Sequence, residues 1–80
     1  MALRDALNTA ESVLLYYLGA DVAFRHMHLH LARVYRGSGQ PEQAAAEIRL
    51  AKAAHQRVLS TLRRLREQRE CEARERRAAA

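Results

Sequence analysis

Four histidines hold most of the reactive chemistry in this sequence. His26, His28 and His30 lie in the run His-Met-His-Leu-His, and His55 follows much later. Neutral imidazole is a good ligand for zinc, nickel and copper. Residues four apart share one face of a helix, so His26 and His30 form a candidate two-point chelate for such an ion. His28 and His55 point toward a helix–helix seam instead, so all four histidines cannot share one ion. No cysteine or carboxylate is obviously placed to complete a tetrahedral set, although Asp21 can approach His55. Surface imidazoles plus a hydrogen-bonded seam pair explain the same residues without a metal. No metal and no other cofactor is therefore expected.

The remaining candidates for chemistry are isolated. Asp21 interrupts an apolar stripe, but a lone carboxylate without a pocket is not a mechanism. It is better explained as a helix cap after Gly19, or as the partner of His55 or Arg57. Ser12, Ser38, Ser60 and Thr61 have no base and orienting acid around them. The chain has no phosphate-binding glycine loop and no paired carboxylates. Its single cysteine, Cys71, cannot form an internal disulfide, which suits a reducing compartment. These features predict a protein that is not an enzyme and acts on no small-molecule substrate. Its expected location is intracellular, in the cytoplasm or an organelle matrix.

The elements that position these residues are helical. Ala, Leu, Arg, Glu and Gln dominate the 80 residues, while glycine occurs three times and proline once. Leu3, Leu7, Ala10, Leu14, Tyr17, Phe24, Leu31 and Tyr35 recur in steps of three, four and seven, which predicts one helical stripe. The first helix either runs through Gly19 or breaks there with Asp21 as a new cap. Gly37-Ser38-Gly39-Gln40-Pro41 is the clearest punctuation. A glycine ends one helix in the left-handed conformation and Pro41 opens the next, beside Glu42. Ala44, Ile48, Ala51, Val58, Leu62 and Leu65 form a second stripe. The two stripes facing each other predict an all-α antiparallel hairpin over residues 1–62. Its register sets Tyr35 near Ala44 and Ile48, Phe24 near His55, and Tyr17 near Leu62. Residues 63–80, rich in Arg and Glu, are expected to continue as a charged, solvent-exposed helical tail.

Around the turn, His28, Leu31, Ala32 and Tyr35, then Gly39, Ala44, Ile48 and Ala51, follow a spacing of large and small residues that resembles a tetratricopeptide repeat. The resemblance covers about residues 25–58. It implies a close-packed helical hairpin and a role in protein interaction. His28 stands where that family usually has tryptophan, and Gln56 where it usually has proline. A single repeat also lacks the stacked neighbours that stabilise such arrays.

Size and charge narrow the partners. A chain this small buries only roughly 60–65% of its unfolded surface, and only four aromatics and no tryptophan thicken its core. A second protein surface would complete such a fold. Val13, Leu15, Leu18, Val22, Leu29, Val34, Leu50 and Leu59 lie off the expected seam, and among them Val13, Leu18, Val22, Leu29, Leu50 and Leu59 define the expected interface with a partner or a second copy. The leading expectation is thus a structural or adaptor subunit of a larger assembly. The alternative uses the net charge of +5 and the arginines that supply 13 of the 14 basic residues. Arg63, Arg64, Arg66 and Arg69 could grip RNA or DNA phosphates. Val58 to Leu65 resembles the recognition helix of a helix-turn-helix regulator, but no turn signal precedes it. The apolar run Val13–Leu18 is too short for a membrane span.

Overall fold

The computed structural model describes residues 2–80, with side chains described from Ala10 onward. It is an antiparallel hairpin of two helices, α1 (Ala2–Gly37) and α2 (Pro41–Ala79), joined by a three-residue turn. The assembly is a thin plate with extents of 62 × 20 × 11 Å. Helix α1 runs through Gly19 without a break. One glycine costs only about 1 kcal/mol against alanine in a helix, and the helix–helix contact on both sides of it outweighs that. The second helix is equally continuous, so residues 63–79 prolong α2. They are also not an overhang, since Arg69 donates to Glu11 of α1 at 3.2 Å.

The turn is built by backbone groups. The Gln40 amide donates to the Tyr35 carbonyl at 2.9 Å and the Gly39 amide to the Arg36 carbonyl at 3.2 Å. These two bonds make a Schellman cap, whose C′ residue must take the left-handed conformation. Gly39 fills that position with φ 73°, whereas Gly37 ends α1 in ordinary helical geometry. Pro41 then opens α2, where a missing amide hydrogen costs nothing.

The seam between the helices is narrow and made of small residues. Ala32 of α1 and Ala44, Ala51, Ala54, Val58, Thr61 and Leu65 of α2 are its buried members, with Ala54 fully enclosed. Alanine at the contact lets two helix axes approach to about 8 Å, the lower end of the usual range. On α2 the inward line steps 44, 47, 51, 54, 58, 61, 65, 68, all buried or half-buried. On α1 the corresponding line is Glu11, Leu14, Leu18, Asp21, Arg25, His28, Ala32 and Tyr35, all buried or half-buried. Both lines alternate steps of three and four, the repeat that keeps one face toward a partner helix.

This seam corrects the expected one. Tyr17 and Phe24 do not enter the seam; they are 56% and 48% exposed, and Tyr17 borders a surface groove with Arg57, Ser60 and Arg64 of α2. Leu62 is also exposed, and Ala54 and Thr61 take inward positions instead. The described residues of α1 hold two parallel lines with the same spacing, one apolar and one mixed with Glu11, Asp21, Arg25 and His28, and periodicity alone cannot say which one turns inward. Leu3 and Leu7 lie outside the residues whose side chains are described.

Candidate functional site

The inward line of α1 carries more polar groups than its outward stripe. Asp21 accepts a hydrogen bond from Arg57 Nε at 2.8 Å, and its side chain is only 13% exposed. Arg25 donates to His55 Nδ1 at 2.9 Å. Guanidinium is a donor only, so this bond assigns the acceptor role to Nδ1. His28 Nδ1 meets Glu47 Oε2 at 2.5 Å, with both side chains largely buried. Glu11 and Arg69 close the far end of the row. Each of these pairs crosses from α1 to α2. Among the described residues no buried side-chain nitrogen or oxygen lacks a partner, so the row is fully satisfied.

The physical consequence is a set of cross-links in fixed register. Four pairs, spaced from Glu11 to His28 on one helix and from Glu47 to Arg69 on the other, are met together by one alignment only. A slip of one residue would turn these polar groups away from their partners and leave the partly buried ones unsatisfied, at a cost of about 1–3 kcal/mol per group.

The outward face of α1 is the reverse. Val13, Tyr17, Phe24, Met27 and Val34 are all exposed, and half-buried Ala20 and Leu31 continue the line. Each of these seven residues precedes an inward residue by one position. The stripe is therefore rotated from the seam by about 100° and lies on one broad face of the plate. It spans 13–34 without a single Asp, Glu, Lys or Arg. Tyr16 and Tyr17 make an edge-to-face pair with ring centroids 5.8 Å apart. Phe24 stacks on His28 at 6.5 Å, which joins the stripe to the seam.

The expected interface residues divide between the two broad faces. Val13 belongs to the stripe just described, and helical geometry puts Leu50 of α2 on the same side. Val22, Leu29 and Leu59 lie on the opposite side. Leu18 departs from expectation, because it holds an inward position and is half-buried. On that opposite side Leu15, Leu18, Leu62 and Leu65 floor an open groove of about 540 Å³, edged by Arg66, Arg69, Glu70 and Ala73.

The other candidates are placed as follows. His26 and His30 are exposed on α1, and His28 and His55 are engaged with Glu47 and Arg25. Among the described residues no group of three or more His, Cys, Asp or Glu is placed to hold a metal ion. Of the four arginines considered for nucleic acid, Arg69 is tied to Glu11, while Arg63, Arg64 and Arg66 are exposed. Cys71 is exposed, with its thiol 3.7 Å from Glu75 Oε1. Among the described residues no helix is long and apolar enough to cross a membrane. The residues that sequence reasoning passed over as surface markers are Tyr17, Phe24 and Met27. The signal that finds them is the absence of charge along their stripe, compared with Asp21, Arg25 and His28 along the neighbouring one.

Comparison with known proteins gives no independent lead: no protein-family profile, curated protein or solved structure matches this chain.

Proposed function

We propose that this chain is a non-enzymatic interaction element, a structural or adaptor subunit that docks on an apolar protein surface through the outward face of α1. One observation carries this reading. The helix turns Glu11, Asp21, Arg25 and His28 toward α2, and turns Val13, Tyr17, Phe24, Met27 and Val34 outward. A monomer gains nothing by spending its largest apolar side chains on water and its charges on its own seam. Contiguous exposed apolar surface rimmed by polar residues marks interaction sites. The small-residue hairpin packing around the turn, with Ala32, Ala44 and Ala51 buried, supports the same reading through its resemblance to a tetratricopeptide-type interaction hairpin.

Site-directed photo-crosslinking in cells of the native source tests the proposal. A benzophenone amino acid at position 24 is expected to give a discrete protein adduct, and the same probe at position 49, on the outer side of α2, is expected to give none. Absence of any adduct from position 24 at full expression would refute the reading.

A further inference from the structure

We infer that the outward stripe of α1 is covered by the same stripe of a second copy, running antiparallel to it. This rests on the docking reading above and names its partner. The argument is one of self-complementarity. The stripe repeats the alternating three–four spacing that α1 and α2 use against each other within the hairpin. Two such helices pair antiparallel about a two-fold axis level with Val22. That axis sets Phe24 against Ala20 of the second copy, Met27 against Tyr17, Leu31 against Val13, and Val34 against Ala10. Phe24 and Val34 each meet an alanine, and no layer brings two aromatic rings together. The same arrangement of large against small lets interior layers interdigitate. A two-fold contact of this kind uses one patch twice, so no second complementary surface is required.

Charge selects the antiparallel sense. The stripe itself is neutral, so the Arg-rich end of α2 decides the orientation. Arg69 meets Glu11, so residues 63–77 run beside the first half of α1. In a parallel pair the two Arg-rich segments would lie side by side. In the antiparallel pair they sit at opposite ends, about 40 Å apart by helical rise. That separation exceeds the screening length of about 8 Å at physiological salt several times over.

Area sets the strength. An aromatic side chain offers about 150–250 Å², and the stripe residues are roughly half exposed. Each copy therefore contributes on the order of 500 Å², with Tyr16 and Leu50 beside it. The total of about 1,000 Å² lies below the roughly 1,200 Å² at which stable specific interfaces begin, in the range of weak, transient contacts. The dimer is accordingly expected to be reversible, forming and dissociating within an accessible concentration range.

Sedimentation equilibrium from about 1 to about 300 μM tests the mass, and pulsed dipolar spectroscopy on a spin label at Cys71 tests the orientation. Expected are a reversible species of twice the 9.1 kDa chain mass and a label separation of about 40 Å. Phe24→Asp or Met27→Lys should raise the dissociation constant by about thirtyfold or more with helicity retained by circular dichroism. Leu59→Asp, on the other broad face, should leave it unchanged. A single-chain mass throughout, a dimer indifferent to both stripe variants, or a label separation within about 25 Å would each overturn the inference. A monomer whose position-24 probe captures a different protein overturns the second copy and leaves the docking reading standing. No capture of any kind, together with a monomer, removes both.

Discussion

Replacing Ala54 by leucine places three extra carbon atoms at the tightest point of the seam. Ala54 is fully enclosed, with buried Ala51 and Val58 one turn to either side on α2 and the adjacent His55 bonded to Arg25 of α1. Alanine contacts allow axes as close as about 8 Å, and leucine pushes them toward about 10 Å. The plate is only two helices wide, so no third element absorbs that shift. It passes instead to the neighbouring cross-links, Arg25 to His55 and Asp21 to Arg57, whose bonds of 2.9 and 2.8 Å leave little slack. Overpacking of this kind costs typically 1–3 kcal/mol. With a urea dependence of about 1 kcal/mol/M for a chain this small, the unfolding midpoint should fall by about 1–3 M. The assay is urea unfolding followed by far-ultraviolet circular dichroism, at one protein concentration for all variants because self-association shifts apparent stability. Ala45→Leu is the control. Its site is exposed on the broad face away from the outward stripe, and surface changes usually stay within about 0.5 kcal/mol. If Ala54→Leu unfolds at the same urea concentration as the parent, the helices are not held together by alanine contact and the account of the seam fails.

Three further outcomes follow from the same geometry. Gly19→Ala should stabilise the chain by about 1 kcal/mol and raise the melting temperature by about 4–8 °C, since a Cβ there meets nothing within 4 Å; calorimetry showing no gain would mean the helix does not pass straight through this position. The two turn glycines should respond oppositely. Gly39→Ala forces an alanine to φ 73° and should cost about 1–2 kcal/mol, whereas Gly37→Ala should be neutral or stabilising by up to about 1 kcal/mol, as denaturant midpoints will show. Arg57→Ala should destabilise more than Asp21→Asn, because it strands a carboxylate that is 13% exposed at about 1–3 kcal/mol, while the amide still accepts from Arg57; a double-mutant cycle with equal single effects would contradict this.

Much of the backbone was legible from residue types. The turn follows from a glycine at 37 or 39 and from Pro41, because one supplies the left-handed conformation, at Gly39 in the structure, and the other opens a helix without needing an amide donor. The two stripes in steps of three and four identified the helices, and the register estimate that put Tyr17 near Leu62 is close to the alignment set by Asp21 with Arg57 and Arg25 with His55. Asp21 was legible only as a helix cap or as a partner of His55 or Arg57, and the structure selects Arg57.

The rotation of α1 about its own axis was not legible. Hydrophobic spacing counts Tyr17 and Phe24 as good core candidates, since burying an aromatic ring is worth more than burying an alanine. The tertiary structure decides otherwise because several weak preferences act together. Alanines on α2 reward close approach, which leaves no room for a ring, and each polar pair needs its partner on the other helix at hydrogen-bond distance. Local sequence therefore determined a helical hairpin, its turn and its direction, since propensity, capping and spacing act within a few residues. The continuity of α1 through Gly19 came from the structure. Which stripe faces inward, and which large apolar residues remain on the surface for a partner, depended on contacts between residues 19 to 58 positions apart, and only the packed pair of helices brings those together.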